Sequence, residues 1–546
     1  MTPAVAALFC FACYLLGYHL YAKYLGRKVF QLDPARRTPA HEQFDAVDYV
    51  PSNRYVLFGH HYASIAGLSP MLGPAIAVIW GWLPALLWVV FGSLLVGAVH
   101  DLGALVVSMR ARGMSIGKVA EDIIGRRAKT LFHIIIFFLI TLAMGVFVNI
   151  CSILLSRAYF PEAVYPTSVL MLVAIGVGWL VYKRNLRLGP VTALAFAITL
   201  GGVILGLQLP HLDWSTDRWS VLLLGYSFVA SVLPVWLLLQ PRDYINSLLL
   251  YLGLAAIFGG FFLLRPDFAA PALQTHPEGA PPIFPFVFII IACGAISGFH
   301  GLVSSGTTAK QINRETDAVM IGYGGMIGES LLGLASVLAC TAGFLTRDLW
   351  MAHYQSWDLA SGLGPNMRAF IEGSGLFISQ LGVPLALAQA FVALVAISFA
   401  LTTLDSATRL LRFNISEIGE SIGWTPLSNR HLSSLLAVVS IGFFAFYKVG
   451  GQTAGLALWQ LFGTTNQIMG ALTLLAVTLY LLQRKRSYLC TAIPMAFMLV
   501  TTLTAMVIKL KDFWDLGALL LLFLGATILT LSVWLAIEAA IRLRRA

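Results

Sequence analysis

Two adjacent histidines, His60 and His61, lead into a segment interrupted by Gly67, Pro70 and Gly73. Proline removes a backbone donor and glycine lowers helix propensity, so we expect amides and carbonyls near residues 68–72 to lack partners within a helix. Inside a membrane, such backbone is tolerated only where it is buried in protein or lines a watery cavity. The segment therefore predicts a binding-site element.

This interrupted segment suits an anionic ligand. Helix N-termini exposed at a break supply donors to a carboxylate without a buried cation. Ser64 follows His60 by four residues, which places both side chains on one helix face. The histidines could bind substrate or titrate near neutral pH. Alternatively, the pair caps loop carbonyls at the membrane edge.

Acidic residues inside apolar runs form a second group. Glu329 is the deepest, and we expect it to carry a coupling proton because intramembrane acids are costly and default to function. Asp101, which is adjacent to His100, and Asp405 are further candidates for carrying the coupling proton. The alternative for both aspartates is pairing with Arg110, Arg409 or Lys310 to fix helix ends. Arg242 is predicted to pair with Asp243 or with another loop acid.

The elements that position these residues are membrane helices. Of the 546 residues, 58% are hydrophobic and only 11% are charged, against roughly 25% charged residues in soluble domains. The formal charge of +10 comes from short basic clusters between apolar runs, which excludes a nucleic-acid-binding surface. The six cysteines are scattered through apolar segments and are expected to pack between helices.

Fifteen apolar runs approach the span of about 20 residues that a bilayer requires. They cover residues 3–25, 62–80, 82–108, 131–158, 163–182, 188–208, 220–240, 246–264, 284–308, 318–343, 384–408, 432–447, 454–482, 487–508 and 514–540. With the N-terminus outside and the C-terminus in the cytoplasm, most of the 35 Lys and Arg residues fall in inner loops, as the positive-inside rule requires.

Runs two to six and seven to eleven form two sets of five, and an odd number of crossings gives the two sets opposite orientations. Each set would begin with a broken helix, containing Pro70 and Gly73 in the first and Ser231 and Pro234 in the second. Interrupted helices at matching positions are typical of transporters with inverted repeats. We therefore expect substrate to bind between these breaks, with His300 nearby.

Five motifs are specific enough to indicate a family. They are residues 59–74 (GHHYASIAGLSPMLGP), 294–313 (GAISGFHGLVSSGTTAKQIN), 321–329 (IGYGGMIGE), 399–410 (FALTTLDSATRL) and 459–470 (WQLFGTTNQIMG). In this order they resemble the carbon starvation protein A (CstA) family over nearly the whole chain. The chain departs from the family pattern at Leu68, Ser69 and Ser330, where the family more often has glycine.

The resemblance implies an inner-membrane uptake carrier for peptides or pyruvate, with proton coupling in the pyruvate branch. It also implies a LeuT-like core of five plus five helices. The expected division is residues 1–58 for an N-terminal helix and cytoplasmic loop, 59–412 for a ten-helix core and 413–546 for a four-helix bundle. The exposed outer helices could support a homo-oligomer or brace the core.

In LeuT-like carriers the eighth core helix supplies hydroxyls to a sodium site. The ninth run would be that helix, and its candidates are Ser304, Ser305, Thr307 and Thr308. In a proton-coupled member, Lys310 could occupy the place of the cation. The alternative is hydrogen bonding between helices, which is also the expected role of Asn466 and Gln467. We expect protons rather than sodium ions to drive transport.

Other function classes fit less well. His60, His61, His100, Asp101 and His300 lack a metal-ligand spacing, so we expect no metal and no cofactor. No nucleophile–base motif, Walker loop or dinucleotide fingerprint occurs, which argues against an enzyme. A nutrient sensor using the same pocket stays open as an alternative, although no loop is long enough for a signalling domain.

Overall fold

The computed structural model describes residues 1–45, 48–184, 186–360, 362–449, 452–453 and 455–545. Within these residues the chain is almost entirely helical. The α-helices are α1 Pro3–Leu16, α2 Pro39–Glu42, α3 Arg54–Ile65, α4 Ser69–Ala77, α5 Trp82–Leu87, α6 Ala98–Arg110, α7 Ile116–Ile123, α8 Arg126–Leu154, α9 Val164–Tyr182, α10 Leu188–Gln208, α11 Thr216–Val232, α12 Leu239–Leu264, α13 Ile283–Ile290, α14 Gly298–Gly306, α15 Gly324–Ala342, α16 Arg347–Tyr354, α17 Trp357–Ala360, α18 Leu363–Ser379, α19 Leu385–Ile422, α20 Arg430–Ala445, α21 Gly455–Gln483, α22 Leu489–Asp515 and α23 Leu519–Arg545.

Shorter segments join or extend these helices. The π-helical segments are Gly17–Ala22 and Leu25–Val29 after α1, Trp88–Gly97 between α5 and α6, and Val319–Tyr323 before α15. The 3-10 turns are Val78–Trp80, Pro161–Ala163, Thr308–Lys310, Glu315–Asp317 and Thr425–Ser428. Two short strands, β1 Lys448–Val449 and β2 Gln452–Thr453, pair antiparallel, with Lys448 opposite Thr453.

In the described part of the chain, 11 helices are long and apolar enough to cross a membrane, and the bent pair α3 and α4 makes a twelfth. The prediction of an all-helical, multi-pass membrane protein is therefore confirmed. Three further predicted runs fall on shorter elements. Residues 220–240 overlap α11, residues 284–308 overlap α13 and α14, and residues 432–447 overlap α20.

The first break separates α3 from α4, which meet at 47°. It covers residues 66–68, so the predicted interruption is present, although the N–H groups of Met71 and Leu72 do find an acceptor, the carbonyl oxygen of Leu68. Pro70 lies in the first turn of α4, where a missing backbone N–H removes no intrahelical bond. Gly73 is helical, and a Cβ on it would lie 2.5 Å from the carbonyl oxygen of Ile290. This glycine thus permits close packing against α13.

The predicted interruption at Pro234 is present, but the break that lies against Pro70 is a different one. α11 ends at Val232 and Leu233 is extended, because the residue before a proline is disfavoured in the helical region. The second interruption instead covers residues 291–297, between α13 and α14. Gly294 has a φ of +87° there, and a Cβ on it would lie 3.5 Å from the Cβ of Pro70. The two breaks therefore face each other.

Ser231 and Pro234 lie at a capped helix end and not at the paired breaks. Arg409 Nη2 donates to the carbonyl oxygens of Ala230, at 3.1 Å, and Leu233. Arg412 Nη1 donates to the carbonyl oxygen of Ser231 at 2.9 Å. The last carbonyls of a helix have no intrahelical donor, and the two arginines supply donors to them. Sequence reasoning placed these two residues in the substrate site, whereas the structure places them at the end of α11.

The helices differ in how far they are enclosed. In the most apolar 18-residue window of α21, 94% of the residues are buried, against 22% for α1 and 33% for α23. The windows of α8 and of Glu315–Ala342 are also 83% buried. The helices that surround the two breaks thus form the interior of the molecule, with α1 and α23 at its periphery.

Candidate functional site

Four ionisable side chains form a continuous row beside the second break. Nδ1 of His100 lies 2.7 Å from Oδ1 of Asp101, and Nδ1 of His300 lies 3.0 Å from Oδ2 of the same carboxylate. Nε2 of His300 lies 3.3 Å from Oε2 of Glu329. All four residues have 0% exposure. We call this row, His100–Asp101–His300–Glu329, the relay.

Three separate elements build the relay. α6 carries His100 and Asp101, α14 carries His300 in its first turn and α15 carries Glu329. The break before α14 thus sets the position of His300. The alternative that Asp101 pairs with Arg110 is wrong, because Arg110 Nε donates instead to Oε1 of Glu315 at 2.7 Å.

Several polar atoms of the relay are buried without a hydrogen-bond partner among the described residues. These atoms are Nε2 of His100, Nε2 of His300 and both carboxylate oxygens of Glu329. The side chains of His300 and Glu329 are thus close enough to form an ion pair, but their atoms do not meet the geometry of a hydrogen bond. Isolated buried charges are expensive unless they are paired or neutralised by a proton. Either the imidazole of His300 or the carboxylate of Glu329 can therefore carry a proton.

The start of α14 is fixed by Asn466 of α21. Its Oδ1 accepts from the backbone N–H of Phe299 at 2.9 Å and from Oγ of Ser297 at 3.1 Å. Nε2 of the neighbouring Gln467 donates to the carbonyl oxygen of Phe288 at 2.9 Å. Both residues bond between helices, as predicted, and they do so at the two sides of the second break.

Cys293 adds a third type of donor beside the relay. Its Sγ, a ring nitrogen of His300 and a carboxylate oxygen of Glu329 all lie within 4.8 Å of one another. Sequence reasoning missed Cys293, because a lone cysteine in an apolar run is indistinguishable from a packing residue. The five residues weighed as metal ligands do not converge as one set, because His60 and His61 have other partners.

A second buried cluster surrounds Arg242, and we call it the guanidinium cluster. Arg242 Nη2 donates to Oδ1 of Asp243 at 2.9 Å, and Nη1 donates to Oδ2 of Asp405. Tyr226 Oη donates to the same Asp405 oxygen at 2.6 Å. Nδ1 of His60 lies 2.8 Å from Oδ2 of Asp243. The predicted pairing of Arg242 with Asp243 is confirmed.

The guanidinium cluster joins four helices, which are α3, α11, α12 and α19. His60, Arg242, Asp243 and Asp405 are at most 3% exposed. The alternative that Asp405 pairs with Arg409 or Lys310 is wrong, since its cationic partner is Arg242. The sequence carried no signal for Tyr226, which lies 179 positions from Asp405.

The first break is lined by hydroxyl groups. Oγ of Ser64 and of Ser69 and Oγ1 of Thr403 are buried without a hydrogen-bond partner in the described part of the chain. A Cβ on Gly67 would lie 2.6 Å from Oγ1 of Thr403, so this glycine brings the break directly against α19. Thr403 was missed as a site residue, although it lies within the motif at 399–410.

The hydroxyls at the end of α14 point to different neighbours. Ser305 donates to the carbonyl of Gly301 at 2.7 Å, and its oxygen accepts from the N–H of Ile116 at 3.1 Å. Thr307 donates to Val303 O at 3.0 Å, within its own helix. Oγ1 of Thr308 is hydrogen-bonded to Nδ1 of His61 at 2.9 Å.

Of the predicted hydroxyl set, only Ser304 has a buried oxygen without a partner among the described residues. Lys310 follows these hydroxyls, and its Nζ lies over the rings of Tyr49 and Phe413, 5.3 and 5.1 Å from their centroids. The structure therefore does not bring the four hydroxyls and Lys310 to a single point.

Many apolar helices, two facing breaks and buried ionisable groups beside them define a multi-pass membrane transporter. The sequence profile of "Carbon starvation protein CstA" matches residues 3–359 and 352–505. The chain belongs to the carbon starvation protein CstA family.

Two relatives illustrate the range of the family. The chain is 34% identical to "Peptide transporter CstA" of Escherichia coli (strain K12), with 90% of this chain and 79% of that protein aligned. It is 31% identical to "Pyruvate/proton symporter BtsT" of the same organism, with 91% and 80% aligned. These relatives are transporters and not enzymes, which confirms the prediction of a carrier.

A solved structure with a similar course of the chain is the Eremococcus coleocola manganese transporter in complex with an aromatic bis-isothiourea substituted compound. It is 13% identical, covers 92% of this chain and 99% of its own, and has a TM-score of 0.48.

Proposed function

We propose that this protein is a secondary active importer that carries a small carboxylate-bearing substrate, pyruvate or a short peptide, by proton symport with alternating access. The observation that carries the proposal is the relay, with its fully buried carboxylate at Glu329. The names of the two relatives supply the substrate classes, since pyruvate and peptides both end in a carboxylate.

Glu329 is the proposed proton carrier, with His300, Asp101 and His100 as its partners. A proton taken up at Glu329 cancels a buried charge whose two oxygens lack a hydrogen-bond partner among the described residues. Movement of α14 during transport would change the approach between His300 and Glu329 and release the proton. Sodium coupling at α14 is disfavoured, because a hard cation requires converging oxygens and its hydroxyls diverge.

The proposed substrate position is the space between the two breaks. α4 begins after Leu68, which has no side-chain cap to offer. Pro70 has no N–H, and those of Met71 and Leu72 donate to the carbonyl oxygen of Leu68 at 3.1 and 3.0 Å, so the N–H of Ser69 and the positive end of the helix are the groups that α4 offers to a carboxylate. The hydroxyls of Ser64, Ser69 and Thr403 lie close by. α14 is less suited to this role, because Asn466 already occupies its N-terminus.

For the architecture we propose a LeuT-like core with a different division from the sequence-based one. With α9 and α10 counted as an inserted hairpin, each broken helix begins a set of five elements. The first set is α3/α4, α5/α6, α8, α11 and α12, and the second is α13/α14, α15, α19, α20 and α21. This division supports fifteen crossings with the N-terminus outside and the C-terminus inside.

On this division the transport core extends from residue 54 to residue 483, beyond the expected boundary at 412. The helices α1, α22 and α23 then lie outside this core. The membrane that we propose for the protein is the bacterial inner membrane. These peripheral helices either brace the core or form a homo-oligomer contact. Light scattering of the detergent-purified protein, with the detergent mass subtracted, decides between a monomer and a dimer.

The test is uptake of labelled pyruvate and of labelled alanyl-alanine into proteoliposomes. Each substrate is offered with an inward proton gradient, with an inward sodium gradient and with neither, and protein-free liposomes serve as the control. We expect saturable accumulation of one substrate that requires the proton gradient and collapses with a protonophore. Accumulation driven only by sodium would overturn the coupling. Binding without flux would establish the sensor alternative.

A further inference from the structure

A cavity of about 260 Å³ lies at the end of α14, away from the two breaks. Its walls come from α8, α14, α19, the loop at residues 113–115 and the start of α7, and they include Lys118, Lys310, Phe413 and Glu417. In the proposed orientation this cavity lies on the cytoplasmic side, and we call it the inner vestibule. A narrow space of about 20 Å³ adjoins it at Lys310 and reaches His60.

The acidic residues of the inner vestibule already have partners. Oε2 of Glu417 accepts from Oγ of Ser115 at 3.1 Å and lies 3.4 Å from Nε2 of His133. Oε2 of Glu420 lies 4.0 Å from Nζ of Lys118. The negative charges at this surface are therefore engaged by neighbouring groups.

Lys310 is different, because its ammonium has no ion pair within 4.0 Å among the described residues. It lies between the rings of Tyr49 and Phe413, and cation–π attraction replaces only part of the lost hydration. Burial lowers the pKa of Lys310, while the carboxylates of Asp48, Glu417 and Asp45 oppose that shift from a distance. An anion at Nζ would stabilise the charged form.

We propose that Lys310 binds the carboxylate of the transported substrate in the inner vestibule, at a second site on the cytoplasmic side of the relay. This inference rests on the proposed function, since it takes the substrate to be a carboxylate. A cavity of about 260 Å³ is below the usual range for drug-sized ligands, so it suits a small carboxylate with water. The competing role for Lys310 is purely structural, as a cation at the C-terminal end of α14.

The first test compares the two sides of the membrane in oriented proteoliposomes. Lys310→Met keeps the packing against the two rings and removes the charge. We expect it to raise the half-saturating internal pyruvate concentration for efflux about tenfold. The half-saturating external concentration for uptake should stay unchanged. Lys310→Arg should restore the internal value, and Lys28→Met, at an exposed position outside the vestibule, should match the wild type. Equal effects on both sides, or none, would overturn the proposal.

A second measurement does not depend on transport. In the detergent-purified wild-type protein, acylation of Lys310 by an amine-reactive reagent is followed by mass spectrometry, with the exposed Lys28 as internal reference. Pyruvate or alanyl-alanine should slow the reaction at Lys310 several-fold, whereas uncharged pyruvamide should not. Equal rates with and without both carboxylates would overturn the site. Absence of wild-type uptake together with protection of Lys310 would refute the proposed transport and leave the binding site standing.

Discussion

The imidazole of His300 lies 3.0 Å from Oδ2 of Asp101 through Nδ1, and its Nε2 faces Glu329 at 3.3 Å. One ring thus bridges carboxylates from α6 and α15, and it stands in the first turn of a helix that begins at a break. Any shift of α14 changes both distances together. The relay therefore connects the protonation of buried groups with the position of a helix that alternating access must move.

Glu329→Gln should abolish accumulation driven by a proton gradient, because a carboxamide is uncharged and takes up no proton. Counterflow exchange of substrate at equal pH should be partly retained. We expect the accumulation ratio to fall about 5- to 150-fold, as for a coupling energy of about 1–3 kcal/mol. The matched control is Glu372→Gln, because Glu372 is exposed and lies 3.9 Å from Arg368. Normal accumulation by Glu329→Gln would remove this residue from the mechanism.

Arg242→Met should destabilise the protein severely, since it leaves Asp243 and Asp405 buried without their cation. Removing one partner of a buried pair costs about 3–5 kcal/mol. Melting of the detergent-purified protein, followed by tryptophan fluorescence, measures the effect. Adding Asp405→Asn in the same chain should recover part of the loss. Arg368→Met, at an exposed pair, should cost under about 1 kcal/mol, and an equal loss in both single variants would contradict the assignment.

Gly73→Ala should weaken the contact between the two broken helices. The new Cβ would lie 2.5 Å from the backbone carbonyl oxygen of Ile290. A backbone atom cannot rotate away as a side chain can, so α4 and α13 would have to move apart. Overpacking of this kind costs about 1–3 kcal/mol, and substrate affinity should fall with the melting temperature. Gly176→Ala is the control, because nothing lies within 4 Å of that position. An unchanged melting temperature in Gly73→Ala would show that α4 and α13 are not in this close contact.

The sequence predicted the helices well because hydrophobic runs of this length have few other uses. It also predicted that residues near Pro70 interrupt a helix. It misplaced the break by a few residues, because a proline can either end a helix or begin one. At Pro234 the same signal marked a helix end, and the second break depended on Gly294, which looked like one packing glycine among several.

The residues of the relay were selected from the sequence as separate candidates, because ionisable side chains in apolar runs stand out. Their connections could not be predicted. Asp101 and His300 are 199 positions apart, and nothing local distinguishes pairing with His300 from pairing with Arg110. The same holds for Arg242 and Asp405, which come together only once α12 and α19 have packed.

Asn466→Leu tests whether the start of α14 is fixed from α21. The substitution leaves the N–H of Phe299 without its acceptor, and loss of such a helix cap costs about 1–2 kcal/mol. Because His300 follows one residue later, the loss should also loosen its approach to Glu329. We therefore expect proton-driven accumulation to fall more than counterflow exchange does. The control is Thr465→Val, because the hydroxyl of Thr465 donates to the carbonyl oxygen of Leu461 in its own helix, at 2.7 Å. If proton-driven accumulation and counterflow exchange fell equally in Asn466→Leu, Asn466 would stabilise the fold without positioning the relay.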